Sequence, residues 1–163
     1  MIVTDPLIED HGRRAAPSPQ ASVPGRPAQR LAVVACMDAR LDPLAILGLH
    51  EGDAHVIRNA GGVVTDDVIR SLLISQRLLG TEEIILIHHT DCGMLTFSDD
   101  QLKAQIRAET GLEPPFALEA FADLEDDLRQ GIGRLRASPF IPTRDRIRGF
   151  VYEVETGRLR GVA

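Results

Sequence analysis

The chain has 163 residues, a net charge of −6, five Phe, one Tyr and no Trp. That length suits one domain with an aliphatic core, the acidic balance leaves no basic footprint for nucleic acid, and no apolar run approaches the roughly 20 residues of a membrane span. The N-terminus lacks the apolar stretch of a secretory signal, so a cytoplasmic location is expected.

Residues 1–30 read as a proline-rich N-terminal arm. They hold Pro6, Pro17, Pro19, Pro24 and Pro27, with Arg13, Arg14, Arg26 and Arg30 interspersed. Such a composition buries too little apolar surface to offset its ordering entropy. Two readings stand: a mobile tail, or an arm that wraps a partner subunit. The globular part is expected at 31–163.

Residues 31–36 are a short, continuous apolar run, the pattern of a strand buried on both faces of a parallel sheet. Asp42 before Pro43 reads as an N-cap with proline in the first helical position, opening a short helix through Leu49. A second strand is expected at 54–58, followed by the loop Asn59-Ala60-Gly61-Gly62. Thr65, Asp66 and Asp67 open the clearest helix, because acidic residues suit the positive end of the helix dipole. In it Val68, Ile69, Leu72, Leu73, Gln76 and Leu79 recur at helical spacing, and Gly80 is its stop. A third buried strand is expected at 83–88. Ser98 with Gln101 resembles a capping box for a helix ending near Gly111. Pro114 and Pro115 break the chain, and a further helix is expected at 118–136, weakened by Gly131 and Gly133. Residues 147–154 alternate and run into Glu155-Thr156-Gly157, which predicts a C-terminal edge strand or hairpin. Strands alternating with helices argue for an α/β fold: a single domain with a mainly parallel central β-sheet flanked by helices.

The two cysteines sit where such a fold binds ligands, beyond the carboxyl ends of strands. Cys36 closes the first strand; His88, His89 and Cys92 follow the third. Two thiolates and an imidazole are the soft mixed set that suits zinc, and three protein ligands leave the open position of a catalytic site. His89 is preferred over His88, because successive residues leaving a strand point oppositely and the spacing to Cys92 is the commoner one. Taken alone, a cysteine at a strand end is usually a small buried hydrophobe; the joint occurrence favours metal.

Asp38 and Arg40 point the same way on an extended segment, where the guanidinium fork can hold the carboxylate. Either they are an ordinary surface ion pair, or Asp38 is a carboxylate fixed beside the metal. Released from Arg40, it becomes a fourth ligand that shuts the site. Gly61-Gly62 reads mainly as a tight-packing loop, with an anion-binding nest as the alternative. Cys36 and Arg40 are too close in sequence for a phosphatase loop, which argues against a cysteine nucleophile.

These residues resemble the β-class carbonic anhydrases, in particular their compact bacterial branch. The family's C-x-D-x-R is Cys36-Met37-Asp38-Ala39-Arg40, its R-N-A-G is Arg58-Asn59-Ala60-Gly61, and its H-x-x-C is His89-Thr90-Asp91-Cys92. The resemblance spans roughly 31–154. It implies a zinc lyase, carbonate dehydratase, with one Zn2+ per chain. Such an enzyme hydrates carbon dioxide reversibly to bicarbonate and a proton through zinc-bound hydroxide. Cys36, His89 and Cys92 would bind the metal, Asp38 and Arg40 would be the catalytic dyad, and the Gly93 N–H would bind substrate. The resemblance further implies a homodimer, with tetramers common in the family. His55 and His88 are candidate proton shuttles only because they titrate. Two alternatives stand beside this: a carbonyl sulfide or carbon disulfide hydrolase on the same zinc site, and a non-catalytic zinc-binding protein with Asp38 as fourth ligand.

Overall fold

The computed structural model describes residues 3–14 and 23–162. Pro17 and Pro19 of the expected arm lie outside the described residues. The apolar runs become strands β1 (Leu31–Cys36), β2 (Ala54–Asn59), β3 (Glu83–His89), β4 (Ile147–Glu153) and β5 (Arg158–Val162) of one sheet. Its order is β2-β1-β3-β4-β5. The first four strands run parallel and β5 returns antiparallel, as the alternation at 147–154 and the turn after it foretell.

The helices are α1 (Thr4–Arg14), α2 (Pro43–Leu47), α3 (Asp66–Leu79), α4 (Asp99–Thr110) and α5 (Leu124–Ala137). Asp42 caps α2 through the N–H groups of Leu44 and Ala45, with Pro43 in the first turn. The helix ends at Leu47, two residues short of the expected end, because Gly48 caps it there. Thr65 caps α3 through the Val68 N–H, and Ser98 with Gln101 forms the full capping box of α4.

Two elements depart from the sequence reading. Residues 118–123 are not helical, and α5 starts at Leu124. The N–H groups of Leu118, Glu119 and Ala120 donate to the Asp99 carboxylate instead, and Asp123 caps the helix through the Glu125 and Asp126 N–H groups. The second departure is α1, a helix inside the arm. None of its residues is buried. Its charges explain why it forms without packing: Arg13 faces Glu9 and Asp10, and Arg14 faces Asp10, at the i,i+3 and i,i+4 spacings that support a helix.

One face of the sheet packs under α3 and α5. There Ala32, Val34, Ile84, Leu86, Ile147 and Val151 meet Val68 and Leu72 of α3, and Leu128, Ile132 and Leu135 of α5. Full burial of each larger aliphatic side chain stabilises the fold by roughly 1.5–3 kcal/mol. The other face buries Val33, Ala35 and Ile87, against which Leu47 of α2 packs. Strand β1 is therefore enclosed on both sides, which is why its sequence is continuously apolar. No helix among the described residues is long and apolar enough to cross a membrane.

Candidate metal centre

Strands β1 and β3 are neighbours with Ala35 opposite Ile87, so their carboxyl ends deliver Cys36 and His89 side by side. Cys92 follows in the turn after β3, just before a short 3-10 turn at Gly93–Leu95. The Sγ atoms of Cys36 and Cys92 and a ring nitrogen of His89 all lie within 4.8 Å of one another, and all three residues are buried. Neither cysteine is in a disulfide.

The donor set fits a metal. His89 Nδ1 donates to the Thr90 carbonyl at 2.8 Å, which assigns the lone pair to Nε2. That Nε2 is buried and has no hydrogen-bond partner. A buried imidazole nitrogen left bare is costly unless an ion takes it. The sulfurs tell the same story. The Cys92 thiol donates to Cys36 and, against the effect of burial, brings the Cys36 pKa down to about 4. The same contact, with burial, pushes Cys92 far above its ordinary value. A cation beside the two buried sulfurs would favour the thiolate form of both. Burial works against the His89 imidazolium, but the Cys36 sulfur, the Thr90 carbonyl and the Asp38 carboxylate together raise the His89 pKa.

Asp38 sits at the rim, its Oδ2 3.8 Å from His89 Nε2. Both of its oxygens are held by Arg40, with Nε to Oδ1 at 2.9 Å and Nη2 to Oδ2 at 2.8 Å. The Arg40 backbone N–H adds a third bond to Oδ1. The Arg40 side chain therefore holds Asp38 well below the usual carboxylate range. The far edge of Arg40 meets a residue that sequence reasoning missed. Nη1 donates to Asp91 Oδ2 at 2.7 Å and Nη2 to the Asp91 carbonyl at 3.0 Å. Nothing in the spacing links positions 40 and 91; the contact exists because β1 and β3 end together.

Arg58, also given no role from its residue pattern alone, straps the backbone of the first motif. Its Nε donates to the Cys36 carbonyl at 2.9 Å and its Nη2 to the Asp38 carbonyl at 2.7 Å. The Gly61-Gly62 turn is the close-packing loop expected. A Cβ on Gly62 would lie 2.7 Å from the Cys36 backbone nitrogen. Around the cluster, Leu41, Val63, Met94 and Phe121 are buried with both cysteines, an apolar surround.

The two histidines named as candidate proton shuttles are engaged elsewhere. His55 bonds Ser75 of α3 through Nδ1 at 2.8 Å. His88 points away from the cluster, with Nε2 2.7 Å from Asp127 Oδ2 of α5 and its ring stacked on Phe121. Gly93 follows Cys92, with open space where a side chain would project.

Known proteins are similar to this chain. The family model for carbonic anhydrase matches residues 31–114. Beta-carbonic anhydrase 1 of Mycobacterium tuberculosis is 53% identical over 99% of both chains. The chain belongs to the β-carbonic anhydrase family. Within it, a crystal structure of carbonic anhydrase from Streptococcus mutans superposes with a TM-score of 0.87 at 41% identity, covering 100% of this chain and 99% of that one. A carbon disulfide hydrolase of Acidianus sp. is also similar, 39% identical over 81% of this chain and 76% of its own. As β-carbonic anhydrases are zinc enzymes, zinc is the cofactor that the Cys36, His89 and Cys92 cluster could bind.

Proposed function

We propose that this protein catalyses the reversible hydration of carbon dioxide to bicarbonate and a proton, with Cys36, His89 and Cys92 as the ligands of one zinc ion. When bound there, zinc lowers the pKa of a water it holds and so supplies hydroxide near neutral pH. The rest is work for the chain's own side chains. Arg40 keeps Asp38 ionised and fixed at the rim of the cluster. Asp38 accepts the hydrogen bond of the attacking hydroxyl and turns its lone pair toward the carbon of carbon dioxide. Leu41, Val63, Met94 and Phe121 exclude water and offer an apolar surface to an apolar substrate. The Gly93 N–H donates to a bicarbonate oxygen, where the open space beside Gly93 leaves room.

The observation that carries this reading is the clamp on Asp38. A purely structural zinc site with Asp38 as fourth ligand has no use for an arginine holding both of its oxygens. Stopped-flow hydration by the zinc-loaded protein between about pH 6.5 and 9 tests it, with Cys92→Ser as control. Fast hydration that climbs with pH and is lost in the variant is expected; a zinc-loaded chain inert at every pH refutes it. The similarity to a carbon disulfide hydrolase favours one second reading, and turnover of carbon disulfide and carbonyl sulfide beside carbon dioxide separates the two.

The assembly we propose is a homodimer in the cytoplasm, with residues 1–30 as an arm and 31–163 as the zinc domain. Reduced, metal-ligating thiols suit a reducing compartment. Helix α1 buries nothing in its own chain and leaves Leu7 and Ile8 exposed, which suits an arm laid on a second copy. Light scattering on the full chain and on residues 23–163 tests this: equal dimerisation of both removes the arm from the interface, and a monomeric full chain removes the dimer.

A further inference from the structure

Helix α4 opens with two aspartates that do different things. Its cap is complete without either. The Ser98 hydroxyl accepts from the Gln101 N–H, and the Gln101 side chain accepts from the Ser98 N–H. Asp100 is exposed. Asp99 instead reaches the segment after Pro115. Its Oδ2 accepts from the N–H of Leu118 at 2.7 Å and of Glu119 at 3.3 Å, and its Oδ1 from that of Ala120 at 2.9 Å. These donors, Ala120 foremost, hold the Asp99 carboxyl below its ordinary pKa. Glu119 between them has φ +62°, the left-handed region that non-glycine residues seldom occupy. Three bonds to one carboxylate offset that cost.

What the clamp delivers is Phe121. Its ring stacks on His88, centroid to centroid 5.2 Å at 16°. Its N–H donates to the Met94 carbonyl. Its Cε1 would lie 3.1 Å from a Cβ on Gly61. Each of these three neighbours adjoins a proposed ligand. His88 precedes His89, Met94 follows shortly after Cys92, and Gly61 precedes Gly62, which packs on the Cys36 backbone.

We propose that Asp99 is a positioning residue for the metal centre: it clamps the backbone at 118–120 so that Phe121 wedges Gly61, Met94 and His88 against the segments that carry Cys36, His89 and Cys92. The inference rests on the zinc reading above and extends it to a residue outside the three motifs. An aspartate in a first helical turn also has a simpler use, as a charge at the positive end of the helix dipole. Asp100 shares that use equally and makes none of the clamp's bonds, so Asp100→Asn is the matched control. Asp99→Asn keeps the side-chain size but turns one acceptor into an amide donor facing an N–H.

The test uses the full chain loaded with zinc, and separately with cobalt as a spectroscopic probe. Transfer of zinc to excess chelator is followed well below the melting temperature of each variant. Asp99→Asn is expected to release zinc about tenfold or more faster than wild type, the scale on which outer-shell partners act. Its cobalt protein is expected to show a shifted thiolate-to-metal absorption band. Phe121→Leu, which leaves the clamp intact and removes the stacked ring, is expected to do the same; Asp100→Asn is expected to match wild type. If Asp99→Asn behaves as Asp100→Asn in both readouts, the proposal is wrong, whatever happens to its melting temperature. If Asp99→Asn does not fold, an unchanged Phe121→Leu overturns it alone. None of these readouts requires turnover, so a chain that binds zinc but fails to hydrate carbon dioxide leaves the proposal standing. A wild-type chain that binds no zinc at this cluster ends it.

Discussion

The Gly62 turn offers a prediction that three glycines can dissect. At Gly62, an added Cβ would stand 2.7 Å from the Cys36 nitrogen, 2.8 Å from the Ala35 carbonyl carbon and 3.2 Å from the Ala35 Cα. All three atoms are backbone of β1, enclosed on both faces, and cannot swing aside as a side-chain tip can. Gly62 also has φ +70°. An L-residue held there costs about 1–2 kcal/mol, and overpacking a filled interior adds about 1–3 kcal/mol. Gly62→Ala should therefore destabilise the fold by roughly 2–5 kcal/mol, a large share of an ordinary 5–15 kcal/mol. At about 2–4 °C per kcal/mol for a domain of this size, the melting temperature falls by roughly 5–20 °C. Gly80 has φ +75° with nothing within 4 Å of an added Cβ, so Gly80→Ala isolates the backbone cost, about 1–2 kcal/mol. Gly133 is inside α5, with nothing near an added Cβ; Gly133→Ala gains about 0.5–1 kcal/mol from helix propensity alone. Calorimetry on the three variants gives the order. Gly62→Ala melting within the range of Gly80→Ala would refute the argument that β1 is an unyielding wall behind the metal cluster.

Other outcomes follow from the same geometry. Arg40→Ala should keep its zinc by metal analysis and lose about a hundredfold or more in stopped-flow hydration, because Asp38 loses the fork that fixes it. Cys92→Ser should lose both metal and activity, and chelation of the wild type should lower its melting temperature by removing a ligand that binds only the folded state. Asp99 has a lowered pKa, so its contribution is complete above the ordinary carboxylate value and disappears as the pH falls through the folded one. The stability gap between wild type and Asp99→Asn in urea should accordingly be full near about pH 7 and narrow below about pH 4; a gap that widens in acid would refute that sign.

The parts of the molecule set by local chemistry were legible from residues alone. Continuous apolar runs marked β1 and β3, Asp42-Pro43 and Ser98 with Gln101 marked helix starts, and the three motifs marked the cluster. What stayed hidden depended on contacts across the sheet. The start of α5 was misplaced by six residues because a side chain from another helix takes the N–H groups that its first turn would have used. Asp91 was passed over because its partner, Arg40, lies in the turn that follows a different strand. Helix α1 was hidden by the prolines around it: Pro6 falls in its first turn, where proline is tolerated, and its surface ion pairs leave no apolar periodicity to read.

The adjacency of β1 and β3 has a thermodynamic side as well. Any ion gripped by Cys36 on one strand and Cys92 beyond the other is also a cross-link. It closes a loop of about 57 residues, and by the chain-entropy relation for cross-links such a closure is worth ~4 kcal/mol against the unfolded chain. The same ion would then serve the reaction and tie the two central strands together. The metal-free chain should accordingly lose global stability, and hydrogen exchange would report it as lowered protection of the buried β1 and β3 amides at residues 33–36 and 85–89, which open only when the whole domain unfolds.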